Sequence, residues 1–208
     1  MPAPWTTLAK KTVVEQTIAV LQTQNINALF VETRDDAKKK VLELLPTGAE
    51  VMTMSSTTLD QSGITQAIEE SSSYHDVKKI LKGMDRNTQG KEMQKVGAAP
   101  DWTVGSVHAV TQDGHVMIAS NTGSQLPAYA YGSSHVIWVV GTHKIVKDMN
   151  EGMKRIYEHA LVLENERAKK AYGMGSAVNK MLIINKEVKE GRITLIFVNL
   201  RFTNELHH

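Results

Sequence analysis

The sequence contains no cysteine. That excludes a disulfide framework, a thiol nucleophile, and thiolate ligation of zinc or of an iron–sulfur cluster. No apolar run approaches the ~20 residues that a helix needs to cross a bilayer. Neither sign of charge dominates: 24 Lys and Arg stand against 22 Asp and Glu, a formal net charge of +2. A nucleic-acid binder carries a concentrated basic footprint, which is missing here. The densest basic run, Lys38-Lys39-Lys40, sits among Asp35, Asp36 and Glu43 and reads as a solvated helix face. The opening Met1-Pro2-Ala3-Pro4-Trp5 lacks the basic-then-apolar build of a secretion signal. The histidines show neither an H-E-x-x-H pattern nor a paired spacing, so no metal site is expected. These absences predict a cytoplasmic protein that partners neither membrane nor nucleic acid.

What is present is ordinary in amount and informative in pattern. The chain has 208 residues, of which 41% are hydrophobic and 22% charged. That suits one domain over 1–208, large enough to bury roughly 70% of its unfolded surface without a staple. Leu8, Val14, Ile18 and Leu21 recur at near-helical spacing and predict a helix over 6–24. A short apolar strand follows at 28–31. Thr33, with Asp36 three residues on, has the form of a helix N-cap, and Pro46 and Gly48 end that helix. A strand is predicted at 50–54, helix over 59–70, and a polar helical stretch over 74–98 interrupted at Gly83 and Gly90. Strands at 102–107 and 115–119 are joined by Asp113-Gly114, a strong hairpin signal. His135–Gly141 is continuously apolar, as suits a strand covered on both faces, and His135 opens it in a structural place. A helix from Asp148 carries Met149, Met153, Ile156, Ala160 and Leu163 on one stripe, and strands follow at 181–184 and 193–198. Strands alternating with helices predict the α/β class: a mostly parallel sheet flanked by helices, with an antiparallel hairpin.

In such sheets ligands bind beyond the carboxyl ends of the strands. Two polar turns fit that rule, Ser55–Thr58 and Asn121–Gln125. Each combines hydroxyls with backbone N–H groups, which suits a phosphate or carboxylate. Gly123 lets a ligand come close to the backbone. The expected ligand contacts are Ser55, Thr57, Ser106, Asn121, Thr122, Gly123, Ser124 and Gln125. Lys144, three residues past the most apolar strand, is placed to meet an anion. His108 and Asp101 are candidates for acid or base chemistry. Helix capping is the competing role for the hydroxyls, and solvent exposure the competing role for Lys144. Neither turn matches a P-loop or a G-x-G-x-x-G motif.

The order of several segments resembles the lactate-utilisation (LUD) domain family, which includes the lactate-utilisation protein C type. The segments are Gly48-Ala49-Glu50-Val51, Ser55, Thr58-Leu59 and Gly63-Ile64; then Gly105-Ser106-Val107-His108-Ala109-Val110-Thr111, Asp113-Gly114 and Thr122-Gly123-Ser124-Gln125-Leu126; then Tyr131-Gly132, Val139-Val140-Gly141 and Lys144-Ile145-Val146; and finally Arg155-Ile156, Tyr172-Gly173 and Gly191-Arg192-Ile193. The likeness covers a core of about 25–198. It implies a fold like that of glucosamine-phosphate deaminase, ribose-phosphate isomerase and the CoA-transferases. It also implies an auxiliary subunit in lactate utilisation that binds a small anionic metabolite and works with iron–sulfur oxidoreductase partners. The chain itself would carry no cluster and no covalently bound cofactor. The alternative it leaves open is an autonomous isomerase-like or transferase-like enzyme acting on a phosphorylated or CoA-linked substrate. No glutamate lies near Thr122–Gln125 in sequence to act as a CoA-transferase nucleophile. The chain departs from the family pattern at His108, where relatives place Asn, and at Arg201-Phe202-Thr203-Asn204.

Overall fold

A computed structural model describes residues 5–200; Met1–Pro4 and Arg201–His208, including the departure at Arg201–Asn204, lie outside the described residues. The strands in chain order are β1 (Ile26–Val31), β2 (Glu50–Thr53), β3 (His75–Asp76), β4 (Trp102–Gly105), β5 (Ala109–Thr111), β6 (Val116–Ser120), β7 (His135–Gly141), β8 (Ile145–Val146), β9 (Lys180–Ile184) and β10 (Ile193–Val198). The helices are α1 (Lys11–Thr23), α2 (Arg34–Leu44), α3 (Thr57–Gln61), α4 (Ile64–Glu69), α5 (Val77–Lys82), α6 (Arg86–Ala98), α7 (Met149–Arg155) and α8 (Leu161–Tyr172).

Six strands form a fully parallel sheet in the order β1-β10-β7-β4-β2-β3. Successive side chains of a strand point to opposite faces, and the two central strands divide their apolar residues accordingly. Val136, Trp138 and Val140 of β7, with Ile193, Leu195 and Phe197 of β10, pack against Val14 and Leu21 of α1 and against Val110, Val116 and Ile118. Ile137, Val139, Ile196 and Val198 face the other way, onto α2, α3 and α4 through Val41, Leu59, Ile64 and Ile68. Burial on both faces explains why the sequence of β7 is apolar without alternation.

The remaining strands form a second, mixed sheet in the order β8-β5-β6-β9. Its inner face contributes Val110, Val116 and Ile118 to the core of the large sheet. Its outer face packs Ala109, Met117 and Ala119 against Val146 and Ile156.

Several local expectations change. The segment 102–107 is not one strand paired in a hairpin with 115–119. Its first part is β4 in the large sheet, and the hairpin partner of β6 is the separate strand β5. The Asp113-Gly114 turn is where the sequence places it, but it closes β5 onto β6. The stretch 59–70 is two helices, because Gly63 at φ +64 breaks the chain between α3 and α4. Only Ile156 of the stripe from Met149 to Leu163 is fully buried: Met149, Met153 and Leu163 are exposed, while Gly152 and Arg155, outside the stripe, are buried. A single π turn at Ile156–Ala160 also shifts the helical register before α8. Elsewhere local chemistry holds. Thr33 accepts from the Asp36 N–H while the Asp36 carboxylate accepts from Thr33, a complete capping box. The α1 helix begins at Lys11 rather than at residue 6.

Candidate functional site

The chain passes from the large sheet to the small one at Ser106-Val107-His108, immediately beyond the carboxyl end of β4. Gly105 is required there, because a Cβ at that position would lie 1.8 Å from the Tyr129 hydroxyl oxygen. From β2 the sheet grows one way to β3, and from β4 the other way through β7 to β10. The carboxyl ends of β2 and β4 therefore flank the point where strand order reverses, the usual place for a ligand in an open parallel sheet.

Four segments converge at that point: the β4–β5 corner, the start of α3, the turn after β7 and α7. Ser106 donates its Oγ proton to the Val139 carbonyl at 2.6 Å. Lys144 arrives from the 3-10 turn Thr142–Lys144 that follows β7. Its Nζ contacts Thr58 Oγ1 at 3.1 Å, Ser106 Oγ at 2.9 Å and the Val107 carbonyl at 3.0 Å. Arg155, on the buried face of α7, donates from Nη1 to the His108 carbonyl. The carbonyls of two consecutive residues thus each accept from a basic side chain, and the two charges are close enough to repel.

These cations are 9% and 3% exposed, and among the described residues no carboxylate pairs with either. Burial, then the Arg155 charge, pushes the Lys144 amine down to about 7. Burial lowers Arg155 to about 10, so it stays charged at neutral pH. The neighbouring histidines supply no counter-charge. Burial first, then Lys144 and Arg155, push His108 down to about 3. The same causes in the same order, with His159 added, push His143 down to about 2. His108 Nδ1 accepts the Ala119 N–H at 3.1 Å, which leaves the proton of the neutral ring on Nε2. Arg155 Nε is buried and makes no hydrogen bond among the described residues. Buried donors of this kind are rare and ask for a partner.

Of the residues singled out in the sequence, Ser106 and Lys144 meet directly, and His108 stands beside them. Ser55 and Thr57 are exposed; the next residue, Thr58, carries the hydroxyl that reaches Lys144. The turn Asn121–Gln125 bonds largely to its own surroundings. Ser120 Oγ accepts the Gly123 N–H and donates to Gln125 Oε1, Lys180 Nζ donates to the Thr122 carbonyl, and Asn179 donates to Asn121. Thr122 Oγ1 donates to Ser124 Oγ. Gly123 holds φ +86, as a side-chain-bearing residue rarely does. Asp101 precedes β4, at the opposite end of that strand from Ser106, where its carbonyl accepts the His135 N–H. His135 stacks on Trp102 at 4.1 Å. Thr58 belongs to the turn that the sequence singled out, though not to its expected contacts; His143 and Arg155 were not expected at the site. Gly152, Arg155 and Ile156 share one helix face (i, i+3, i+4), but glycine and arginine make no apolar stripe to mark it as buried. Among the described residues no group of three or more His, Asp or Glu is placed to hold a metal ion. Surface grooves elsewhere, one beside Phe30, Glu32 and Asn199 and one beside Ser133 and Asn185, include neither Lys144 nor Arg155.

Fold and site together define a parallel α/β protein with two buried basic side chains at a strand-order reversal. A model of the LUD domain matches residues 14–198, and the chain belongs to that family. The crystal structure of a DUF162 family protein from Deinococcus radiodurans is similar in fold, with a TM-score of 0.54 and 11% identity over 92% of this chain and 99% of that one. None of the curated proteins matches this chain. No helix of the described residues is long and apolar enough to cross a membrane.

Proposed function

We propose that this LUD-domain chain binds a small carboxylate or phosphate between Lys144 and Arg155, as an auxiliary cytoplasmic subunit of lactate utilisation that works with iron–sulfur oxidoreductase partners. One observation carries the reading: two buried cations share a site with no buried acid among the described residues. A buried charge without a partner is strongly unfavourable, and an anion relieves both at once. The unbonded Arg155 Nε–H supplies a donor that no protein group among the described residues uses. Charge-assisted hydrogen bonds contribute roughly 1.5–3 kcal/mol each, so three hold a small anion usefully. Family membership supports the lactate setting, and a chain without cysteine leaves cluster chemistry to its partners.

In this reading Ser55 and Thr57 form one rim of the pocket. The turn Asn121 to Gln125 forms another, since β6 ends beside the start of β5 and the Ala119 N–H bonds His108.

The test is thermal shift with inorganic phosphate, pyruvate and lactate. A ligand at ~100 times its dissociation constant adds about 2.7 kcal/mol of stability. At least one of the three is expected to raise Tm, and Arg155→Met to remove the response. If all three leave Tm unchanged, the anion site is wrong. Binding also has a definite pH sign. The anion favours protonated Lys144, whose amine titrates at about 7 in the free protein. Affinity measured by calorimetry should therefore fall by about tenfold per pH unit above that value. The auxiliary role has its own check: an iron–sulfur protein should co-purify with the chain from its host.

A further inference from the structure

We propose that Ser106 is a nucleophile and Lys144 its general base, forming a serine–lysine pair that accepts the acyl group of a small ester or thioester bearing a second anionic group. The anionic part of that substrate class rests on the binding reading above; the nucleophile does not.

The geometry carries it. Ser106 Oγ lies 2.9 Å from Lys144 Nζ, within reach for direct proton transfer. The partners of Nζ suit both of its protonation states. As an ammonium it donates to Thr58, Ser106 and the Val107 carbonyl. As an amine it keeps two donors and gains a lone pair. The Val107 carbonyl can only accept, so a hydroxyl must serve the lone pair. The Ser106 proton now lies toward the Val139 carbonyl; rotation about its Cβ–Oγ bond turns it onto Nζ. Burial and the Arg155 cation from α7 favour the neutral amine. The other neighbours add no charge: His143 of its own turn and His108 from the β4–β5 corner are neutral rings near pH 7, and Thr58 of α3 is uncharged. Burial and Arg155 bring Lys144 to about 7, in the range where a base works at neutral pH.

The reaction balances without a cofactor. Ser106 Oγ bonds the acyl carbon as its proton passes to Nζ. The bond from that carbon to the alkoxide or thiolate breaks, and the ammonium returns the proton to the leaving group. Water, or a second acceptor, then gives its proton to Nζ and bonds the acyl carbon; the bond from that carbon to Ser106 Oγ breaks, and the ammonium returns the proton to Ser106. Arg155 holds the substrate's anionic group beside the Val107–His108 peptide.

The test uses diisopropyl fluorophosphate, which carries no charge and so does not depend on the anion site. Ser106 Oγ would displace fluoride from phosphorus, its proton passing to Nζ, and leave a stable diisopropylphosphoryl adduct. Intact-mass analysis and peptide mapping should place a single adduct on Ser106, absent in Ser106→Ala. Lys144→Met should slow labelling by roughly 100-fold or more, the usual span of a general base. In the unmutated protein the rate should climb about tenfold per pH unit and level off above about 7, as Lys144 loses its proton. That profile needs no variant. No adduct at Ser106 at pH 8.5, a flat pH profile, or Lys144→Met labelling as fast as the parent would each overturn the pair. Labelling with no phosphate, pyruvate or lactate response would sustain the nucleophile and remove only the anionic part of the substrate.

Discussion

Arg192 is 7% exposed, with Glu187 at 2.7 Å and the carbonyls of Ala128, Tyr129 and Ser133 around it. Burial alone would raise the Glu187 carboxyl, but the Lys189 N–H and the Arg192 guanidinium outweigh it and hold it below the ordinary range. Lys144 is as deep and has only hydroxyls and a carbonyl. The first cation ties the Ala128–Ser133 segment to the start of β10; the second has no carboxylate partner among the described residues. A consequence follows for stability. The unfolded chain holds the Lys144 proton up to its ordinary value of 10.5, the folded chain only to about 7. Between those values unfolding takes up a proton, so Lys144 makes ligand-free stability rise with pH, at up to about 1.4 kcal/mol per unit. Urea melts at pH 7 and pH 9 should show a rise in the parent that Lys144→Met lacks, and Lys144→Met should be the more stable protein at pH 7. Ser106 and Lys144 were legible in the sequence because each follows an apolar strand. Arg155 was not, because a charged residue on an apparently solvent-facing helix position gives no sign of burial until the packed face is known.

At the scale of elements, the corner between β4 and β5 decides what the site contains. Asp113-Gly114 announces a hairpin, and the hairpin exists. What the sequence does not reveal is that Trp102–Gly105 and Ala109–Thr111 belong to different sheets. Both halves are apolar and extended, and local pattern cannot say which distant strand each one pairs with. The corner is held by contact: Gly105 lies against Tyr129, whose ring sits edge-on to Trp138 at 5.5 Å. Gly105→Ala should drive the new methyl into the Tyr129 hydroxyl and destabilise by about 1–3 kcal/mol, the usual range for an overpacked core. An unchanged urea midpoint would show that Tyr129 can move aside freely. On α7 the sequence misled by offering two stripes. The methionine stripe was the more apolar, but burial went to the face that could bring Gly152 close to the small sheet and Arg155 to the carbonyls of the corner.

At the scale of the molecule, the site joins two sheets. Thr58, Ser106 and Lys144 come from connections leaving the large sheet, and Arg155 from a helix packed on the small one. An anion held by Lys144 and Arg155 ties both layers. Hydrogen exchange with saturating phosphate or pyruvate, whichever raises Tm, should slow at β4, β5 and α7 together; protection confined to one sheet would contradict a bridging site. The α/β class was legible because strand and helix periods alternate along the chain, but the order of the strands was not. β1 and β10 pair across most of the sequence, and no local feature encodes such a distance. That pairing also bears on synthesis. β10 is the last strand of the described chain, yet it lies inside the sheet, between β1 and β7. While the ribosome is still making it, β1 and β7 each present an open edge that only β10 can fill. Non-local parallel pairing of this kind folds slowly and leaves edges exposed in the meantime. The chain completes its sheet from the middle, and losing Ile193–Val198 would divide it there rather than trim its border.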